Sequence, residues 1–198
     1  MWHDPESIAW GNPIQDGGAV LGFSFHDLMA RLETRGADNA WQRLQAILNW
    51  YGEVQAEGGY RAYYAKPGRG SLQGGGTPGG LGLDHEFMES VLVPQVMLYG
   101  FLGFEPQVAG FRIAPKLPED WPSLEVTRIA WRDHVFDVKA NREAIEIRFR
   151  QTGEATLSVE LPEGRWVNEA DSAKGNLIKG NLAQIPPGTS VVRWTRAK

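Results

Sequence analysis

Four acidic residues flank one long glycine-rich segment of this 198-residue chain. Glu57 stands immediately before residues 58–83, and Asp84, Glu86 and Glu89 follow them. Two carboxyl groups on opposite sides of a cleft can act as general acid and general base when one is protonated and the other ionised. Glu57, Glu86 and Glu89 are therefore the candidates for acid–base catalysis in this chain, and Asp84 is a candidate for substrate binding.

Each of these carboxylates also has a purely structural interpretation. Glu57 can be a solvated residue at a helix end, and Asp84 can cap the amino end of the next helix. Glu86 would lie in the first turn of that helix, where the helix dipole favours a carboxylate. Glu89 lies one turn further on among apolar residues, where a buried carboxylate needs a partner. At this stage both interpretations stay open.

Other catalytic chemistries have little support in the sequence. The glycines of residues 74–80 lack the lysine and the preceding strand of a nucleotide-binding P-loop. The chain has no cysteine, and its four histidines, His3, His26, His85 and His134, show no ligand-like spacing. We expect neither a metal nor a cofactor.

Charge and hydropathy narrow the range of partners. The formal net charge is −4 without a basic patch, so we expect no nucleic-acid partner. We see no apolar run of the roughly 18 residues that would cross a membrane. The first residues, 1–5, have neither the basic start nor the apolar stretch of a signal peptide. The compartment stays undetermined.

Helices must position the acidic residues. Apolar residues at helical spacing predict one helix over residues 19–35 and a second from 38 to the glycines at 58–59, joined as an antiparallel hairpin. A third helix is predicted from Asp84 to about Leu102, apolar nearly all round and kinked at Pro94. Three helices do not easily bury such a helix, so we expect further helices from a preceding region or a partner chain.

From residue 108 the pattern changes to strict alternation of apolar and polar residues. This period is typical of strands with one face in a core, and several such strands separated by turns predict a β-sandwich. The predicted fold class is α+β, with a helical domain at 1–107 that contains the glycine-rich loop 58–83, and an antiparallel β-sandwich at 108–198. The predicted strands are 111–113, 124–129, 135–138, 144–149, 155–161 and 190–194.

Three segments in this order carry a family resemblance. They are Asn-Pro-Ile-Gln-Asp-Gly-Gly at 12–18, Tyr-Gly-Phe-Leu-Gly-Phe at 99–104, and the stretch 110–122 that ends in Pro-Glu-Asp-Trp-Pro. Over residues 10–150 the chain resembles the end of the six-hairpin, α/α-barrel glycosidases and the related glycoside phosphorylases. The resemblance implies the terminal hairpins of an incomplete α/α barrel, followed by the sandwich.

The same resemblance implies a function. The chain would be a fragment of a glycoside hydrolase that acts on an oligosaccharide or glycoside and inverts configuration with two carboxyl groups, one of them in a missing amino-terminal region. Inverting enzymes hold these groups roughly 6.5–9.5 Å apart. Similar enzymes can place the base near the last hairpins, as Glu57 would be. The alternatives are a phosphorylase of the same fold and a non-catalytic carbohydrate-binding or structural module. The isolated chain is expected to be inactive.

Aromatic residues beside the acidic ones suit a carbohydrate substrate. Tyr60, Tyr63 and Tyr64 could stack on sugar rings and bond hydroxyl groups. His85 could contact a sugar hydroxyl, or it packs or caps a helix. The tryptophans Trp121, Trp131, Trp166 and Trp194 are predicted to be structural.

Overall fold

A computed structural model describes residues 22–58, 62, 66, 91–169 and 181–197. The chain divides into two compact units. The helical unit is Met1–Arg35 with Asn39–Pro94, and the strand-rich unit is Gly36–Asp38 with Gln95–Lys198. The domain boundary predicted at residue 107 stays a prediction.

Two helices lie where the helical spacing of apolar residues predicts them. Helix α1 is Gly22–Thr34 and helix α2 is Ala37–Ala56. Gly36 between them has a φ of 86°, which a residue without Cβ adopts readily. Contacts pair late α1 with early α2 and earlier α1 with later α2, as antiparallel helices require. These contacts are Arg31 Nη1 to Asn39 Oδ1 at 2.9 Å and Arg43 Nε to Asp27 Oδ2 at 3.2 Å.

The third predicted helix is described only at its carboxyl end. Helix α3 is Leu92–Gln95, and it continues as a π-helix over Val96–Phe101. Pro94 removes one N–H from the regular ladder, and the wider turn begins two residues later. The Leu102 N–H then donates to the Met97 carbonyl at 2.9 Å, the five-residue bond of a π turn. The part of the predicted helix that the structure describes is therefore helical, with a π-helical turn after Pro94 where a kink was predicted, and residues 84–90 lie outside the described range.

The strands of the strand-rich unit form two sheets. One has the order β1–β2–β6–β8, and the other has the order β3–β4–β5–β9–β7. All pairs are antiparallel except β2 with β6, which are parallel. The strands are β1 Phe104–Pro106, β2 Gly110–Ile113, β3 Leu124–Trp131, β4 His134–Ala140, β5 Ala144–Gln151, β6 Leu157–Glu160, β7 Trp166–Asn168, β8 Leu182–Ile185 and β9 Val191–Arg196.

A single core joins the two sheets. The Phe111 ring of the first sheet stacks on the Phe136 ring of the second, with centroids 4.7 Å apart. Ile147 and Trp194 of the second sheet lie in the same buried cluster as Val159 of the first. The α+β fold class and the two-sheet arrangement are confirmed, with one parallel pair added. The helices in the described range do not by themselves make an α/α barrel, so a barrel stays a prediction.

Two of the three segments that carried the resemblance lie side by side. The Ala114 N–H donates to the Gly103 carbonyl at 3.1 Å, and the Lys116 N–H donates to the Phe101 carbonyl at 2.8 Å. The Phe101 and Trp121 rings are 5.1 Å apart. Gly103 has a φ of 65°, and a Cβ there would lie 2.2 Å from the Ala114 carbonyl oxygen. These segments are therefore a structural junction within the strand-rich unit.

Candidate functional site

One of the eight predicted site residues is among the described residues. That residue is Glu57, directly after the last residue of α2. Its backbone N–H donates to the Glu53 carbonyl at 3.2 Å. The other seven predicted residues lie outside the described range: Tyr60, Tyr63, Tyr64, Asp84, His85, Glu86 and Glu89.

The end of α2 explains why Glu57 stands at a turn. The Gly58 N–H donates to the Gln55 carbonyl at 3.1 Å, and Gly58 has a φ of 91°. Side chains with a Cβ avoid this left-handed conformation, so a glycine closes the helix at low cost. The sequence signal that ended the helix at the glycines was therefore sound, and it fixes Glu57 at the helix terminus.

Glu57 forms an ion pair with Lys66 through Oε2 and Nζ. The Glu57 side chain is 23% exposed and the Lys66 side chain 56% exposed. This partner was missed at the sequence level, because a lysine nine residues away in a glycine-rich segment follows no helical or strand spacing. A nearby ammonium group favours the ionised form of a carboxylate, which is the form that a general base requires. The same pair can equally serve to anchor the segment after α2.

The two sheets of the strand-rich unit offer no exposed aromatic side chain in their described part, whereas Tyr99, which precedes β1, is 41% exposed. Within residues 104–169 and 181–197, no Trp, Tyr or Phe side chain is exposed. Trp166 and Trp194 are each 1% exposed, and the Trp166 indole N–H donates to the Pro162 carbonyl at 2.8 Å. The predicted structural role of these two tryptophans is confirmed. This observation weakens the hypothesis of a carbohydrate-binding module that uses aromatic platforms.

His134 is the one buried polar or charged residue in the described range, at 5% exposure. Its Nδ1 accepts a hydrogen bond from the Gly153 N–H at 3.1 Å, so in the neutral ring the proton is on Nε2. Nε2 lies 3.8 Å from Oδ1 of Asp133. Two protein contacts hold the ring in place, which is the role of a packed structural histidine.

No group of three or more His, Cys, Asp or Glu residues in the described part of the chain could hold a metal ion. Of the helices that the structure describes, none has the length and apolar character needed to cross a membrane.

Comparisons with known proteins find a family in the strand-rich unit. Residues 106–167 match the family described as glycosyl hydrolase family 65, C-terminal domain. No curated protein matches the chain. The resemblance to the carboxy-terminal part of the glycosidase and phosphorylase superfamily is thereby confirmed for this stretch.

Solved structures include one that is similar to part of the chain. It is described as a putative kojibiose phosphorylase from human microbiome, with 14% sequence identity and a TM-score of 0.33. The similarity covers 49% of this chain and 12% of that one. The aligned part is therefore a small piece of a much longer protein.

Proposed function

We propose that this chain is the carboxy-terminal part of a glycoside hydrolase. The premise is that residues 106–167 are a C-terminal domain of the glycosyl hydrolase family 65 type. Residues 1–107 would complete an α/α-barrel catalytic domain with 58–83 as a loop at its rim, and 108–198 would be the sandwich behind it. The family match is the observation that carries this proposal. The substrate would be an oligosaccharide or another glycoside.

Glu57 is the residue of this chain to which we assign the general base. It is the acidic candidate whose surroundings are described: it ends α2, is partly shielded from water, and pairs with Lys66. An inverting mechanism needs a water between this carboxylate and the anomeric carbon, and a protonated carboxyl group on the opposite face of the sugar ring. That acid would come from the part of the barrel outside this chain, and Glu86 and Glu89 would be the alternatives to Glu57 within it.

A substitution within the longer enzyme tests this assignment. Glu57→Gln keeps the shape of the side chain but cannot accept a proton, so kcat should fall by about 10²–10⁴-fold with little change in KM. Glu53→Gln is the matched control, because Glu53 is exposed one turn earlier on the same helix. It should leave kcat unchanged. Equal and small effects of both variants would remove Glu57 from the mechanism.

The reaction type is tested with the same enzyme. Disaccharides are incubated with and without inorganic phosphate, and the products are separated as free sugars or sugar 1-phosphate. Free sugars at a rate independent of phosphate are expected for a hydrolase. A strict phosphate requirement with sugar 1-phosphate as product would replace hydrolysis by phosphorolysis. The 198-residue chain alone should turn over neither, because it lacks the proposed acid.

A further inference from the structure

The ion pair between Glu57 and Lys66 joins the end of α2 to a residue nine positions further along the chain. The backbone on the glutamate side is fixed, because the Glu57 N–H donates to the Glu53 carbonyl at 3.2 Å and Gly58 closes the helix. On the other side, Lys66 brings Nζ to Oε2 of the carboxylate. The pair therefore holds the two ends of the segment 57–66 together.

Oε2 of Glu57 lies out of contact with solvent. The whole Glu57 side chain is nevertheless 23% exposed, so the exposed part lies elsewhere on the side chain. A charged oxygen that has lost its water needs an opposite charge close by. The Lys66 ammonium group supplies this charge, and its contact defines the side to which Oε2 points.

This ion pair is poorly suited to a role in stability alone. The Lys66 side chain is 56% exposed. Ion pairs with a well-solvated partner contribute little to folding, because water competes for the ammonium group and a long side chain must be ordered. The influence of Lys66 on the carboxylate is less weakened, since Oε2 itself is not solvated. The contact thus acts on the charge and orientation of Glu57 more than on the stability of the fold.

We infer that Lys66 is a positioning residue for the general base Glu57. It binds Oε2, keeps the carboxylate ionised and directs Oε1 to the attacking water. A general base must lie within hydrogen-bond reach of the proton that it removes, so a carboxylate held in one orientation transfers that proton more often. This inference rests on the proposed function, because it takes Glu57 to be the base.

Substitution of Lys66 in the longer enzyme tests the inference. Lys66→Met removes the charge and keeps the length of the side chain, whereas Lys66→Arg keeps the charge. Lys66→Met should lower kcat by about tenfold with little change in KM. It should also move the acidic limb of the kcat/KM profile to higher pH, because the carboxylate ionises less readily without the cation. Lys66→Arg should return the limb to the position of the parent enzyme.

The control is a lysine of the strand-rich unit, since the first 115 residues contain no lysine other than Lys66. Lys139 is exposed on that unit, and Lys139→Met removes the same charge. It should leave kcat and the acidic limb unchanged. Thermal melts followed by circular dichroism establish that each variant is folded.

A measurement on the parent enzyme covers the case in which Lys66→Met melts early. Salt screens an ion pair whose lysine is largely exposed, so high salt should move the acidic limb in the same direction as the substitution. A limb that stays in place at high salt would then overturn the inference.

The outcomes separate this inference from the assignment of the base. A folded Lys66→Met variant with the acidic limb of the parent would overturn the positioning role, while an inactive Glu57→Gln variant would leave the base in place. Full activity of Glu57→Gln would overturn both. A contact that only anchors the segment after α2 would change KM or Tm but not the acidic limb.

Discussion

The helices α1 and α2 and the two sheets bury their apolar side chains to different degrees. In the sheets, Phe136 and Ile147 are completely buried, as is Phe111 on the facing sheet. On α2 some of the apolar residues at helical spacing are not buried, since Leu48 is 38% exposed and Tyr51 is 48% exposed. The strand-rich unit encloses a core between its two sheets, with Leu182 and Val191 exposed outside that core at 49% and 51%. Helix α2 presents apolar surface that its described neighbours leave uncovered.

The family match and the candidate catalytic residue lie in different units. The family match and the junction around Gly103 belong to the strand-rich unit, in which Phe111, Phe136, Trp166 and Trp194 are buried. The acidic candidate Glu57 belongs to the helical unit, at the end of the partly uncovered α2. A self-contained domain is the part that a sequence comparison identifies, whereas a site assembled from several elements needs the whole enzyme.

The same change, glycine to alanine, should have opposite effects on stability in the strand-rich unit and in α2. A Cβ on Gly110 would lie 1.7 Å from the Ser158 carbonyl oxygen on the paired strand β6. Gly110→Ala must push two backbones apart and should lower the free energy of unfolding of the strand-rich unit by about 3 kcal/mol. Near-ultraviolet circular dichroism, which reports the buried tryptophans, measures the change.

The matched variant lies in α2. Gly52 is helical and a Cβ there would have no atom within 4 Å. Gly52→Ala should raise helix stability by about 1 kcal/mol, because alanine is the better helix former. A tolerated Gly110→Ala would mean that β2 and β6 can separate without loss, which contradicts a closed core.

The ion pair between Asp137 and Arg150 should make a smaller, pH-dependent contribution to the stability of the strand-rich unit. The hydrogen bond from the Arg150 side chain holds the pKa of Asp137 below its ordinary value of 3.8, although burial opposes it. The Arg128 backbone N–H adds a second hydrogen bond at 2.8 Å. Because the folded pKa is the lower one, the stabilisation is complete above the ordinary value and is lost as the pH falls below it.

Asp137→Asn should therefore lower Tm by about 2 °C at neutral pH. The gap in Tm between the two proteins should stay constant down to about pH 4 and close below it. Thermal melts at a series of pH values check this. A gap that widens in acid would reverse the assigned direction of the pKa shift.

The smallest effect is expected on the exposed face of α2. Leu48→Gln with Tyr51→Gln should change the free energy of unfolding of the 198-residue chain by no more than about 0.5 kcal/mol, because neither side chain is buried. Chemical denaturation measures this. A cost above about 2 kcal/mol would show that this face is already covered, and the comparison of the two units would lose its basis.

Sequence periodicity predicted the long strands well and the short ones poorly. Alternation located β3, β4, β5 and β9, because each runs for at least six residues with one face in the core. It missed β1, β7 and β8, which have only three or four residues and take their stability from neighbours distant in sequence. The parallel pairing of β2 with β6 was also beyond reach, since alternation carries no information on strand direction.

The candidate site could be predicted from the sequence only in part, for a related reason. The glycine signal after α2 placed Glu57 at a helix end, and the structure has it there. The Lys66 partner depends on the path of the intervening chain, which no local pattern encodes. The π-helical turn that begins at Val96 was predicted only as a kink. A proline shows that one backbone hydrogen bond of the helix is lost, but not which conformation the following residues adopt.

The parallel pairing also sets the order in which this unit can be completed during synthesis. Gly110 of β2 pairs with Ser158 of β6, and the strands β3, β4 and β5 lie between these two in the sequence. These three strands form hairpins that close over short distances, whereas the first sheet must close a long loop at a larger entropic cost. During synthesis β2 can pair with β1 at once, whereas its other edge has no partner until β6 has been made.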